Sequence, residues 1–310
     1  MQKLLVAALA FTGVAWAQAP APATVAKLAE TGDCRKAMPL VKAALVRTND
    51  PALKKRLGLD GVQCAMSLKD ADTAEELVHL LRKQFPHDPE VLYIAVHLFS
   101  DLSLRASEEL AATAPGSYQM HELNAEAMEA QGKPEEAIGE FREVLKKEPD
   151  VHGIHYRIGR LLLSGPNRDP HKEEARREFE EELKIDPSSA ASEYVLGELA
   201  RQEQKTSVAM EHFTRATKLD GSFADAFIGL GRTLIEGSRA ADALSPLQTA
   251  AKLQPDNPAP HLYLATAYRQ LGRQEDASRE SERQREASEK LRQAREHVRA
   301  QEAGIAEESK

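Results

Sequence analysis

The reactive side chains of this sequence are few, and their spacing suits no familiar catalytic arrangement. His152 and His155 lie three residues apart, a spacing that on a helix turns two imidazoles to one face, as a metal site needs. No His-Glu-x-x-His pair accompanies them, although the chain has ten histidines. Gly153, Gly159 and Gly165 imitate a phosphate-cradling loop in composition, but Gly159 falls inside a helical pattern. There is no Gly-x-Ser-x-Gly elbow and no paired cysteine cluster. Cys34 and Cys64 are the only cysteines, and they read as either a bridge or two buried thiols. No catalytic residue, cofactor or metal is expected, and the chain reads as a non-enzyme.

Composition narrows the remaining classes. Hydrophobic residues make up 42% and aromatics 5%, which suits helices packed through Ala and Leu. The formal net charge is −8 with both signs interleaved, so the clustered basic face that nucleic acid requires is not expected. The first residues follow the pattern of a secretory signal: Lys3, an apolar run from Leu4 to Ala15, then Ala15-Trp16-Ala17 as a small-x-small site. Residues 1–17 are therefore expected to be removed before Gln18, which leaves residues 18–23 as a short flexible leader. No cysteine follows the run, so no lipid anchor is available there, and no later stretch is apolar enough to span a bilayer. A periplasmic or secreted location is expected, with no membrane span after cleavage. In an oxidising compartment a cysteine pair is usually bridged.

Positioning comes from an internal repeat. Ala137, Ala175, Ala209, Ala243 and Ala277 are separated by 38, 34, 34 and 34 residues. Phe141, Phe179, Phe213 and Leu247 follow the first four by four residues, and Pro149, Pro187, Gly221 and Pro255 follow them by twelve. Gly159, Gly197 and Gly231 recur upstream at spacings of 38 and 34. A helix-interior Gly costs about 1 kcal/mol relative to Ala, so three at one phase need a packing reason. That reason is close approach of two helices in a hairpin. The terminal Pro or Gly stops the second helix.

These columns resemble the tetratricopeptide repeat, a 34-residue helix-turn-helix unit. The resemblance implies an all-α fold, a right-handed superhelix of stacked hairpins forming one cooperative solenoid. Residues 118–291 carry five clearer repeats, the best running from Ala224 to Asn257. Residues 24–117 carry degenerate hairpins, of which Pro89 to Ser117 is expected to form two abbreviated helices. Residues 292–310 form a charged helical tail, and from Arg273 onward Ala287, Leu291, Ala294 and Val298 make a thin apolar stripe that suits a capping helix better than a coiled-coil seam.

The family's phase also suggests roles. Cys34 falls near the start of one helix and Cys64 near the end of the next, and adjacent helices in such a stack run antiparallel, so a disulfide is expected, with two buried free thiols as the alternative. His121, His155 and His261 share one repeat position that the family fills with bulky residues, which makes them packing residues. The family's concave positions correspond here to Tyr156 and Arg160, Tyr194 and Arg201, Ile228 and Arg232, then Leu262 and Arg269. Glu122, Glu126 and Glu129 make the preceding hairpin acidic. Such a groove would hold a protein or peptide segment, partly apolar and acidic. The Lys and Asn of the family's clamp for chaperone tails do not occur together in any unit. The expectation is a non-catalytic scaffold in the envelope or, alternatively, an accessory subunit of an envelope enzyme or assembly complex.

Overall fold

A computed structural model describes residues 19–165 and 169–308, and every regular element among them is helical. The expected signal segment, its cleavage site and Trp16 lie outside the described residues, as do positions 166–168 of the long turn. The chain divides into two compact units between Pro115 and Gly116.

The first unit contains the hairpins α1 (Pro22–Glu30) with α2 (Cys34–Arg47) and α3 (Pro51–Ser67) with α4 (Ala71–Gln84), then α5 (Pro89–Thr113). The helix starts follow from local chemistry. Pro51 and Pro89 occupy first-turn positions whose N–H would be unpaired anyway, while the Asp50 and Asp88 side chains accept backbone N–H groups of that turn. The leader is not wholly free of contacts, since Arg47 donates to the carbonyls of Ala19 and Pro20.

The third hairpin expected between Pro89 and Ser117 is absent. α5 is a single helix of 25 residues. Neither Gly nor Pro falls between Pro89 and Pro115, and the serines there do not interrupt the helix. Ser107 donates back to the Ser103 carbonyl and Arg105 pairs with Asp101, both within the helix. The alternation of hairpins, expected to run unbroken, lapses here.

The second unit keeps strict alternation: α6 (Tyr118–Ala130) and α7 (Pro134–Lys147), α8 (Ile154–Leu162) and α9 (Lys172–Ile185), α10 (Ala190–Gln202) and α11 (Thr206–Leu219). Then come α12 (Ala224–Glu236) and α13 (Ala240–Leu253), α14 (Pro258–Gln270) and α15 (Gln274–Glu308). Each first helix packs on its own second helix, and α10, α12 and α14 also touch one another in sequence. The expected tail is the continuation of α15. Ala287 is buried, whereas Leu291 and Val298 are exposed, so capping of the last hairpin reaches no further than about Ala287.

The recurring glycines do what their spacing implies. A Cβ on Gly159 would meet Phe179 Cζ at 2.8 Å, on Gly197 Phe213 Cδ1 at 2.9 Å, and on Gly231 Leu247 Cγ at 2.4 Å. Each glycine therefore makes room for the large side chain of the second helix in its own hairpin, and all three of those side chains are fully buried. Phe213 is enclosed from the other side as well, because a Cβ on Gly229 in the next hairpin would lie 2.6 Å from its ring. In the first unit Gly61 faces Leu77 at 3.1 Å, a pair with the same 16-residue separation as Gly197 and Phe213.

Histidines supply a second repeating contact. His121 Nδ1 lies 2.8 Å from Glu140 and His155 Nδ1 2.6 Å from Glu178; His261 Nδ1 lies 2.6 Å from Glu280. In the hairpin of α10 and α11 the pair is exchanged, with Glu193 on the first helix and His212 on the second at 2.6 Å. His155 is thus committed to a carboxylate between helices, and no cluster of three or more ligating side chains exists among the described residues. Glu182 on α9, 2% exposed, accepts the N–H groups of Gly153 at 2.8 Å and Tyr156 at 3.2 Å, capping the start of α8 from a neighbouring helix.

Cys34 and Cys64 form a disulfide with their Cα atoms 5.0 Å apart, joining the start of α2 to α3.

Candidate protein-binding face

The first helices of the second unit, α6, α8, α10, α12 and α14, carry the residues named from the repeat phase. Packing sets their orientation. Tyr156 meets Phe179 edge-on with centroids 5.7 Å apart. Tyr194 leans on Phe213 at 5.8 Å and Phe223 at 5.0 Å. Both rings are part-buried, and rings held this way lose little conformational freedom on binding.

The arginines are engaged within the protein. Arg201 lies 3.0 Å from Glu198 on its own helix and 3.6 Å from Glu236 on α12, and Glu236 also holds Arg232 at 3.1 Å. One carboxylate thus bridges two of the expected arginines across adjacent first helices. Burial pushes the Tyr194 hydroxyl up to about 12, with the carboxylates of Glu198 and Asp225 adding to it and Arg201 and Arg232 opposing. The phenol therefore stays protonated and can donate a hydrogen bond throughout the physiological range. Tyr194, Arg201 and Arg232 form one polar cluster. Ile228 is part-buried on α12, and Leu262 is 46% exposed on α14.

Arg160 belongs to a separate network. It pairs with Glu129 on α6, and Arg157 beside it reaches Glu126 at 2.7 Å and Glu129 at 3.1 Å. Arg157 also lies over the Phe141 ring at 4.5 Å. The acidic α6 and the basic α8 therefore neutralise each other. Arg269 is exposed and has no ion-pair partner among the described residues. Sequence reasoning did not name Arg157, Asp225 or Glu236. Glu236 had a usable signal, since it follows Arg232 by four residues on a helix, where an opposite charge faces it.

On this face the Arg232–Glu236 contact is the more exposed, at 34% and 42%, while Arg201 is 14% exposed, and the aromatic rings offer apolar area without long flexible side chains.

The tetratricopeptide repeat family profile matches residues 102–169 and 228–289. No curated protein matches the chain. Among solved structures, MamA protein is 19% identical, with a TM-score of 0.50, over 57% of this chain and 94% of that one. MamA residues 41 to the end from Desulfovibrio magneticus RS-1 is 18% identical, with a TM-score of 0.50, over 56% and 96%. YrrB, described as a TPR protein with an unusual peptide-binding site, is 16% identical, with a TM-score of 0.50, over 59% and 92%. At these identities the likeness speaks for the fold alone. The profile matches, with the glycines nested on Phe179, Phe213 and Leu247, show that the chain carries tetratricopeptide repeats and has an all-α tetratricopeptide-type fold.

Proposed function

We propose that this protein is a non-catalytic scaffold, exported to the periplasm or beyond, that captures a segment of another protein on the first-helix face of its second unit. The observation that carries the reading is the cluster of Tyr194, Glu198, Arg201, Arg232 and Glu236 laid across adjacent helices, flanked by Ile228 and Leu262. The bound segment would rest apolar residues on Tyr194, Ile228 and Leu262. It would offer an acidic residue to unpaired Arg269, or exchange one for Glu236 on Arg201 and Arg232. A peptide-binding site is named for YrrB, which supports binding as the role of this fold. Export is supported by the signal-type N-terminus and by the Cys34–Cys64 bridge, which suits an oxidising compartment.

The test is crosslinking and pull-down from an envelope fraction with the chain beginning at Gln18, beside a variant with Arg160, Arg201 and Arg232 all changed to Ala. The reading expects a specific partner that the triple variant loses. An unchanged set of captured proteins would remove this face as the site.

A further inference from the structure

The first unit contains a cleft of about 490 Å³ between α3 and α5, lined by Leu59, Asp60 and Gln63 on one side and by Glu90, Tyr93 and Ile94 on the other. One polar atom in it is unsatisfied: Asp60 Oδ2 is buried and accepts no hydrogen bond. Its nearest cation is Arg56, with Nε 3.8 Å away, and Arg56 is already paired with Glu30. Glu90 is held by Lys55 at 2.7 Å. A carboxylate oxygen without a donor in such a place costs stability, and burial accordingly pushes the Asp60 carboxyl up, with Arg56 opposing and Glu30 adding. A donor brought from outside would satisfy it.

Tyr93 stands at the same cleft, 67% exposed, its ring edge-on to His97 with centroids 4.4 Å apart. Below it along α5, Val96 is 63% and Leu104 60% exposed, on one side of the helix by their spacing. Every first helix of the second unit packs against the second helix of its hairpin, whereas α5 is the last helix of the first unit and, among the described residues of that unit, no second helix follows it. A buried carboxylate oxygen that lacks a hydrogen-bond donor, beside an exposed aromatic ring, is the arrangement that recognises an alkylammonium or guanidinium group. The exposed apolar row gives the rest of the occupant its character.

We propose that the α3–α5 cleft is a second docking site, distinct from the first-helix face of the second unit. It would take a protein segment that seats a lysine or arginine side chain between Asp60 and Tyr93 and lays apolar residues along Val96 and Leu104. The charge of this occupant is opposite to that expected for the second unit's face.

Panning a phage-displayed random peptide library on the disulfide-intact chain from Gln18, followed by fluorescence anisotropy with the selected peptides, tests this. The expected consensus is a Lys or Arg beside apolar residues. Asp60→Asn and Tyr93→Ala should each weaken binding tenfold or more, and Gln63→Lys, which adds a like charge to the cleft, should abolish it. Arg201→Ala should leave it unchanged. Asp60→Asn should also raise the melting temperature at pH 7, so its loss of binding would not reflect misfolding. No enriched peptide, an acidic consensus, or peptides that bind the Asp60 and Tyr93 variants at full strength would each overturn the proposal.

Discussion

Gly231→Ala tests the nesting of the hairpins. The added methyl would lie 2.4 Å from Leu247 Cγ and 2.6 Å from Cδ2, where carbon atoms prefer about 3.5–4.0 Å. Leu247 is fully buried and has no solvent to swing into. At an open helix position the substitution gains about 1 kcal/mol of helix propensity. Overpacking of a filled core costs about 1–3 kcal/mol, and so close an approach belongs at the upper end, which leaves a net loss of about 1–2 kcal/mol. Gly139 in α7 is the internal control, because nothing lies within 4 Å of its Cβ position and it is exposed. Gly139→Ala should gain up to about 1 kcal/mol. Leu247→Ala alone should cost about 2–5 kcal/mol. Combined with Gly231→Ala, the methyl enters the vacated space, and the double variant should be about 1–2 kcal/mol more stable than the sum of the singles. Urea unfolding followed by far-ultraviolet circular dichroism reads all four variants against the parent. Equal stabilisation by the two Gly→Ala changes, or strict additivity in the cycle, would refute the reasoning.

Reduction of the Cys34–Cys64 bridge, which spans a sequence separation of 30, should destabilise the first unit by about 4 kcal/mol on chain-entropy grounds. Hydrogen exchange with and without reductant should show the loss between residues 22 and 113, and an equal loss in α10 to α13 would contradict it. Glu182→Ala strands the N–H groups of Gly153 and Tyr156 at the start of α8 and should cost about 2–4 kcal/mol, whereas Glu182→Gln, which keeps an acceptor, should cost less. A thermal melt that ranks the two equally would sink the capping role. The Asp60 carboxyl titrates higher in the folded chain than in the unfolded one, so protonation favours the fold and that advantage is lost as pH rises through the folded value. Asp60→Asn should therefore raise the melting temperature at pH 7 and match the parent below about pH 4. A gain that does not change with pH would point to some cause other than ionisation.

The repeat was readable because its physical demands fall on single positions. Only a residue without Cβ fits opposite Phe179, Phe213 or Leu247, so Gly159, Gly197 and Gly231 carry the register openly. Gly61 and Leu77 hold the same relation in the first unit, with the same separation, but without matching Ala and Pro columns around them the signal was too thin to notice. Two abbreviated helices were expected in place of α5 because the repeat phase was imposed on Leu92, Phe99, Ala106 and Leu110, although no Gly or Pro stands between Pro89 and Pro115 to break the helix. The histidines were rightly assigned to packing, yet their partners were legible too. Glu140 and Glu280 follow His121 and His261 by 19 residues, and His212 follows Glu193 by the same interval. The binding face was the least readable part. That Glu236 bridges Arg201 and Arg232 depends on how far successive hairpins are rotated, which spacing along the chain does not encode.

Photo-crosslinking in the source cell measures the proposed role most directly. A benzoylphenylalanine would replace Ile228 on the first-helix face or, as a control, Thr214 on the second helix α11. The account expects a discrete crosslinked species from position 228 that disappears when Arg201 and Arg232 are changed to Ala, and none from position 214. Crosslinks of equal yield from both positions, or from position 214 alone, would contradict it.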